Sequence, residues 1–250
     1  MRRAWAVAAG ALLGAAALAG NGGPRIVTSD HWAGYMVTGR HFTYVTGTFT
    51  VPTLTTTSCN PMAVEWVGLG GRGHALLQAG VAETCHRLLP WWFELPADWT
   101  IHPLRQAPTI LQWGNGQAAL TSPGDRVQVT ISRVVPGVWT IDLTDLTTGG
   151  TWKGTVGWTS TAPSAEWIVE DPNQTGGDKT CTWHPTPRSA YCPMPRFSSV
   201  RFTDLATFPA QGTWTALRMR DRTGRIVASP SPLTPTGFVV SYLRTRKEAS

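Results

Sequence analysis

Apolar residues in this chain recur at every second position, run after run, and no segment shows the 3.6-residue period of an amphipathic helix. Residues 43–51 set Val45, Gly47, Phe49 and Val51 on one side of an extended backbone. Residues 126–132 do the same with Val127, Val129 and Ile131, residues 137–146 with Trp139, Ile141 and Leu143, and residues 237–243 with Phe238, Val240 and Tyr242. Successive side chains of a strand point to opposite faces, so this alternation gives each strand one apolar face. Further strands are expected at 33–38, 63–69, 75–81, 89–95, 151–158, 197–202, 213–219 and 225–228. Gly70-Gly71-Arg72-Gly73, Thr147-Thr148-Gly149-Gly150 and Asp221-Arg222-Thr223-Gly224 supply turn chemistry between them. About a dozen short strands of this kind predict an all-β chain. The expected architecture is an antiparallel two-sheet β-sandwich, jelly-roll or concanavalin-like, with long loops and little helix.

Two stretches fall outside the pattern. Met1-Arg2-Arg3 precedes an Ala- and Leu-rich run that ends in Ala17-Leu18-Ala19 before Gly20. A basic start, a short apolar run and a small-residue exit read as a secretory signal peptide over 1–19. Residues 20–31 are expected to be a flexible N-terminal segment, 32–243 the folded domain and 244–250 a frayed tail. From Pro96 to Pro123 the pattern weakens into a long excursion, with one hairpin expected at Gly114-Asn115-Gly116.

Composition narrows the function classes. Losing Arg2 and Arg3 with the leader lowers the net charge from +6 to +4, and the remaining basic residues form no stripe. Nucleic acid is therefore not an expected partner, nor is a membrane once the leader is removed. A monomer is expected. Cys59, Cys85, Cys181 and Cys192 are an even set in an exported chain, which suggests two disulfides. Three connectivities are open, and Cys59–Cys85 with Cys181–Cys192 is the nearest-neighbour scheme. The cysteines lack zinc-site spacing and the six histidines are dispersed, so neither metal nor cofactor is expected.

The run Ser164-Ala165-Glu166-Trp167-Ile168-Val169-Glu170-Asp171, bracketed by Pro163 and Pro172, carries the chemistry. Alternation puts Glu166, Ile168 and Glu170 on one face of a strand and Ala165, Trp167 and Val169 on the other. A carboxyl in a buried strand is costly to ionise, and desolvation raises its pKa, which makes Glu166 a candidate general acid or base. On this strand alone a wet sheet face is the simpler explanation.

Two other stretches settle the choice: Glu65-Trp66-Val67-Gly68-Leu69-Gly70-Gly71 and Ala75-Leu76-Leu77-Gln78-Ala79-Gly80-Val81. With the Ala165–Asp171 string, Trp32-Ala33-Gly34-Tyr35, Gly47-Thr48-Phe49-Thr50-Val51-Pro52, Pro90-Trp91-Trp92 and Ser122-Pro123-Gly124-Asp125, they make the chain resemble the glutamic peptidases, or eqolisins, over most of its length. The resemblance implies a β-sandwich with a cleft on one concave sheet, and a secreted endopeptidase acting at acid pH through a Gln–Glu pair. By motif the pair is Gln78 and Glu166, and Trp66, Trp92 and Glu94 are the expected substrate-binding and supporting residues. The family's additional acidic positions fall here on Gly70, Ala82 and Phe93, with Glu83 and Glu94 one place beyond the last two. A one-residue offset turns a side chain to the other face unless a bulge restores it.

Metal-free amide hydrolysis needs an activated water and a donor for the developing oxyanion. An ionised Glu166 can take the water's proton and return it to the leaving nitrogen. The Gln78 amide can orient the water and donate to the tetrahedral oxygen. Gly80, on the face of Gln78, is expected to leave room there for a substrate backbone. No Gly-x-Ser-x-Gly elbow or His-Glu-x-x-His helix competes with this pair. The alternative class is a β-sandwich binding module for carbohydrate or protein, catalytically weakened by the lost carboxylates.

Overall fold

The computed structural model describes residues 23–39, 41–55, 62–73, 75–84, 87–95, 109–110, 121–172, 175–177, 180–182, 190–191 and 194–243. The expected leader, the tail, the 114–116 hairpin, Cys59, Cys85 and Cys192 lie outside the described residues, and with the cysteines both disulfide pairings.

The strands follow the alternating runs closely. They are β1 (Arg25–Ser29), β2 (Trp32–Thr38), β3 (Tyr44–Thr50), β4 (Ala63–Leu69), β5 (Leu76–Thr84), β6 (Arg87–Leu95) and β7 (Thr109–Ile110). Then come β8 (Arg126–Val135), β9 (Val138–Asp145), β10 (Thr151–Gly157), β11 (Ser164–Glu170), β12 (Thr175–Gly177), β13 (Thr180–Thr182) and β14 (Ala190–Tyr191). The last are β15 (Val200–Phe208), β16 (Thr213–Arg220), β17 (Ile226–Pro230) and β18 (Phe238–Tyr242). Among the described residues the only helical turn is a 3-10 turn at Gly71–Gly73.

Among the described residues fourteen strands hydrogen-bond along one continuous path, β10-β9-β8-β3-β15-β18-β17-β16-β2-β11-β4-β5-β6-β7, and β1, attached to β16, makes fifteen. The expected sandwich is there, its two layers continuous with each other as one curled sheet. The fold-over shows at β16. Thr213–Leu217 pair with β2, whereas Met219 and Arg220 pair with β17. The other side of β16 takes β1 in parallel. The N-terminal segment expected to be flexible therefore holds a paired strand from Arg25 to Ser29, because that side of β16 presents unpaired backbone groups for it. The loop expected after Asp171 contains a second, three-stranded sheet, β13-β12-β14.

The main core fills the curl. Ala33, Tyr35 and Val37 of β2, Val67 and Leu69 of β4, Leu77, Ala79 and Val81 of β5, and Trp167 and Val169 of β11 pack there against the β3, β8, β9 and β15 layer. Trp167 ties the layers together. Its indole N–H donates to the Thr46 carbonyl at 2.9 Å, and its ring stacks on Trp214 at 5.2 Å. Gly47 is required beneath it, since a Cβ there would lie 2.5 Å from the indole. The opposite face of the same central strands carries a smaller cluster of Val64, Trp66, Leu76, Ala82, Trp91, Ile168 and Leu217.

Two carboxyls of β4 and β5 sit on the core-facing side. Glu65 pairs across from Val81 and Glu83 from Ala63, and both are buried. Both oxygens of Glu65 and Oε2 of Glu83 have no hydrogen-bond partner. Burial pushes Glu65 well above the usual carboxylate range, and Glu83 nearby adds to it. Burial pushes Glu83 up to about 8. A carboxyl whose folded pKa exceeds its unfolded value binds its proton more tightly in the native state. Its stabilising effect is complete below the unfolded value, near 4.3, and is lost as pH rises through the folded one. The melting temperature should therefore be highest in acid and fall between pH 5 and 9, estimates set by the same two limits of about 4.3 and 8. Glu65→Gln, which has no proton to lose, should flatten that fall. Circular-dichroism melts across a pH series would show it, and an unchanged slope in Glu65→Gln would count against the assignment.

Candidate active site

Strand β11 lies between β2 and β4, and β4 pairs onward to β5 and β5 to β6. Unbroken register sets up rows of facing residues across these five strands. One row reads Met36, Glu166, Gly68, Gln78, Phe93. The next reads Gly34, Ile168, Trp66, Gly80, Trp91, and the one after it Trp32, Glu170, Val64, Ala82, Leu89. All these side chains belong to the face away from the main core. Glu166 and Gln78 are thus two strands apart, about 10 Å at Cα by ordinary strand spacing, and the residue between them has no side chain. The short link from Leu69 to Leu76 makes this register possible. Gly70 takes a φ of +96° there, and the chain turns at Gly71–Gly73.

The Glu166 carboxyl is fully buried, with 0 % exposure, and Gln78 is 6 % exposed. Neither oxygen of Glu166 has a well-formed hydrogen bond, and Oε1 of Gln78 has none either. Burial pushes the Glu166 carboxyl up to about 8, and the nearby Ser164 hydroxyl and Gly71 N–H offset only part of that. Buried acceptors are nearly always satisfied, so three orphaned oxygens on one row are exceptional.

An aromatic wall stands beside them. The Trp66 indole N–H donates to Oε2 of Glu170 at 2.6 Å. Trp32 meets Trp66 edge-on, at 5.2 Å and 78°. The Trp66 ring leans over Gly68, where a Cβ would lie 2.8 Å from it and 3.1 Å from the Gln78 Cβ. The Trp32 ring reaches over Gly71, where a Cβ would lie 2.8 Å from it and 3.2 Å from Oε1 of Glu166. Burial lifts Glu170 to about 7 against the lowering effect of hydrogen bonds from the Trp66 and Trp32 indoles.

The structure brings Gln78, Glu166 and Trp66 together but not Trp92 or Glu94. Trp92 faces Ala79 and packs on the main core, and Glu94 faces Leu77, so both stand on the face opposite Gln78. The β5–β6 ladder runs from Leu76 and Leu95 to Thr84 and Arg87 with no bulge, so the one-residue offset is never corrected. For the same reason Glu83 points to the core while Ala82 lines the site face, and Phe93 stands beside Gln78. Gly80 leaves no substrate room either. A Cβ there would collide with the Glu65 carbonyl, so this glycine permits close approach of β4 and β5.

Gly68 and Met36 went unread in the sequence because their places depend on pairing with distant strands. Glu170 carried a signal, since alternation puts it on the face of Glu166. Among the described residues no group of three His, Cys, Asp or Glu side chains could hold a metal ion.

The sequence profile of the Peptidase A4 family matches residues 30–234. Solved structures share the fold. Scytalido-glutamic peptidase with a transition state analog inhibitor superimposes with a TM-score of 0.68 at 20 % identity, covering 86 % of this chain and 99 % of that one. SCP-B, an eqolisin-family peptidase in complex with the tripeptide Ala-Ile-His, gives 0.65 at 20 % identity with the same coverage. Aspergilloglutamic peptidase from Aspergillus niger gives 0.52 at 21 %, covering 73 % and 99 %. No curated protein sequence matches significantly.

Gly68→Ala should fold but cost about 1–3 kcal/mol, because its methyl must displace the Trp66 ring or the Gln78 stem. Gly80→Ala should cost more, because backbone must give way. Urea unfolding would rank the two, and near-ultraviolet dichroism should register the Trp66 shift in Gly68→Ala.

Proposed function

We propose, on the premise that this chain belongs to the Peptidase A4 family, that it is a secreted acid endopeptidase whose reacting groups are Gln78 and Glu166. Family membership makes the chain a hydrolase of peptide bonds with polypeptide substrates; the residues, the proton route and export are the proposal. The observation that carries it is the row Glu166, Gly68, Gln78 with its orphaned oxygens. A carboxyl and a carboxamide stand on either side of a position with no side chain of its own, and a polar guest beside the Trp66 edge that covers it can supply the hydrogen bonds both lack.

The burial of Glu166 alters the proton route expected from sequence. A carboxyl pushed up to about 8 is neutral throughout the acid range, so the ionised form is disfavoured there. A neutral carboxyl can act at both oxygens. Its C=O oxygen takes a proton from the attacking water while its O–H gives one to the scissile carbonyl oxygen. The product is a tetrahedral diol, and Glu166 is neutral again. In the second step Glu166 protonates the leaving nitrogen, a diol hydroxyl returns its proton to Glu166, and the C–N bond breaks. Atoms and charges balance, and no charged intermediate forms in a site that solvates charge poorly. The Gln78 amide nitrogen can donate to the oxygen that leaves the carbonyl plane, and its oxygen can hold the water.

Export rests on residues 1–19, whose basic start and apolar run read as a leader. Residues 32–243 would then be the folded catalytic domain.

Casein digestion from strongly acid to alkaline pH is the direct test. Activity should hold through the acid range and fall as pH climbs through the Glu166 value of about 8, unaffected by a metal chelator. Glu166→Gln removes the transferable proton and should lower kcat by at least about 100-fold, the usual worth of a general acid–base group. Gln78→Ala should cost about 100- to 1,000-fold, as for other oxyanion donors. A folded Glu166→Gln protein that still digests casein would overturn the assignment.

A further inference from the structure

The two carboxyls of β11 that share a face, Glu166 and Glu170, have opposite surroundings. Neither oxygen of Glu166 has a well-formed hydrogen bond, whereas Oε2 of Glu170 accepts from the Trp66 indole at 2.6 Å, and the Trp32 indole nearby also favours its charged form. We propose that Glu170 is a positioning residue for this site: by accepting the Trp66 indole N–H it fixes the ring that lies over Gly68, between Gln78 and Glu166, and through that ring the Trp32 ring packed against it. The inference rests on the Gln78–Glu166 reading and adds a residue that acts through others.

The geometry is specific. An indole has a single N–H, so one hydrogen bond at Nε1 sets the rotation of the ring about its side-chain bonds. With Nε1 held 2.6 Å from Oε2 of Glu170, the benzo edge of Trp66 points the other way along the sheet, over Gly68. That edge occupies the space above the one residue separating Gln78 from Glu166. Trp32 faces Glu170 directly across the β2–β11 ladder. Its ring packs edge-on against Trp66 and comes over Gly71 beside Oε1 of Glu166. One oxygen of Glu170 takes the Trp66 indole, and the Trp32 indole lies close enough to act on the same carboxyl. The rings then buttress each other, so neither can rotate without breaking a hydrogen bond or the ring contact. Removing the acceptor would leave the buried Trp66 donor unmatched and free the ring that limits how deep water and substrate can sit. Misplacement of a reacting group by about 1 Å can cost on the order of 100-fold in rate.

The test compares Glu170→Leu, which fills the space without an acceptor, with Glu170→Gln, which keeps an oxygen acceptor. Trp66→Phe keeps a ring and removes its N–H. Each is measured for kcat and KM on an unfolded protein substrate, for thermal stability and for near-ultraviolet dichroism, with Glu166→Gln alongside. Glu170→Leu should lower kcat about 10- to 100-fold with KM changed less than about threefold, and should weaken the tryptophan dichroism. Glu170→Gln should recover kcat to within about threefold of wild type, as a surviving acceptor implies. Because Glu170 acts mainly through Trp66, the double variant should be no worse than Trp66→Phe by more than about threefold.

Three results would overturn the role. One is a folded Glu170→Leu with wild-type kcat. Another is a folded Glu170→Gln as impaired as Glu170→Leu. The third is full multiplication of the two single effects in the double variant. Should Glu170→Leu not fold, Trp66→Phe decides: a comparable loss of kcat supports the role and wild-type kcat ends it. The control separates the two levels. Activity surviving in Glu166→Gln would defeat the dyad itself. A dead Glu166→Gln beside an unaffected Glu170→Leu would defeat only the positioning role.

Discussion

Everything at the candidate site depends on one pairing register, that of β11 on β4 and of β4 on β5. It sets Glu166 and Gln78 on either side of Gly68. Strand spacing then dictates their separation, and the missing side chain leaves room for the Trp66 ring edge between them. A slip of one residue in either ladder would send Glu166 or Gln78 into the main core, because strand side chains alternate strictly. The register is in turn held by packing on the far side of the same strands. Trp167, the immediate neighbour of Glu166, is locked between layers by its bond to Thr46 and its stack on Trp214. The residue that fixes the fold and the residue proposed for the chemistry are adjacent because a strand serves two faces at once.

The same alternation sorts the carboxyls. Glu166 and Glu170 stand on the site face and Glu65 and Glu83 on the core face, and burial raises all four above their ordinary range. Above its raised value each would carry a charge that the interior solvates poorly; below it each is a neutral hydrogen-bonding group. Acid conditions therefore favour both the folded state and the protonated form that the proposed proton route uses. Stability and chemistry are coupled through burial rather than through any ion pair at the site. The ion pairs found among the described residues, such as Arg220 with Asp30 and Lys153 with Asp142, are exposed and far less consequential.

The aromatic residues divide likewise. Trp139, Trp158 and Trp167 serve the core, with the Trp139 indole donating to the Trp158 carbonyl at 3.0 Å. Trp32 and Trp66 stand on the other face and answer to Glu170. Trp91 and Trp92 are neighbours in sequence yet lie in different clusters, Trp91 with the site face and Trp92 against the core. A run of adjacent aromatic residues in a strand is thus two half-walls on opposite sides of the sheet.

What the sequence determined alone is whatever depends on local periodicity and turn chemistry. The strand runs, the all-β class, the shared face of Glu166 and Glu170 and the peptidase motif strings were all legible, since each lies within a few consecutive residues. What only the tertiary structure decided depends on which strands become neighbours. Gly68 became the spacer, Gly80 a close-packing position, and Glu94 and Trp92 core-side residues through pairings between segments far apart in the chain. Arg25–Ser29 became a strand because β16 offered it a free side. Burial of Glu166 likewise came from Trp32, Gly71 and neighbouring strands, none of which its own run can specify. Alternation is a property of one strand, whereas register and burial are properties of strands together, and the reacting geometry belongs to the second kind.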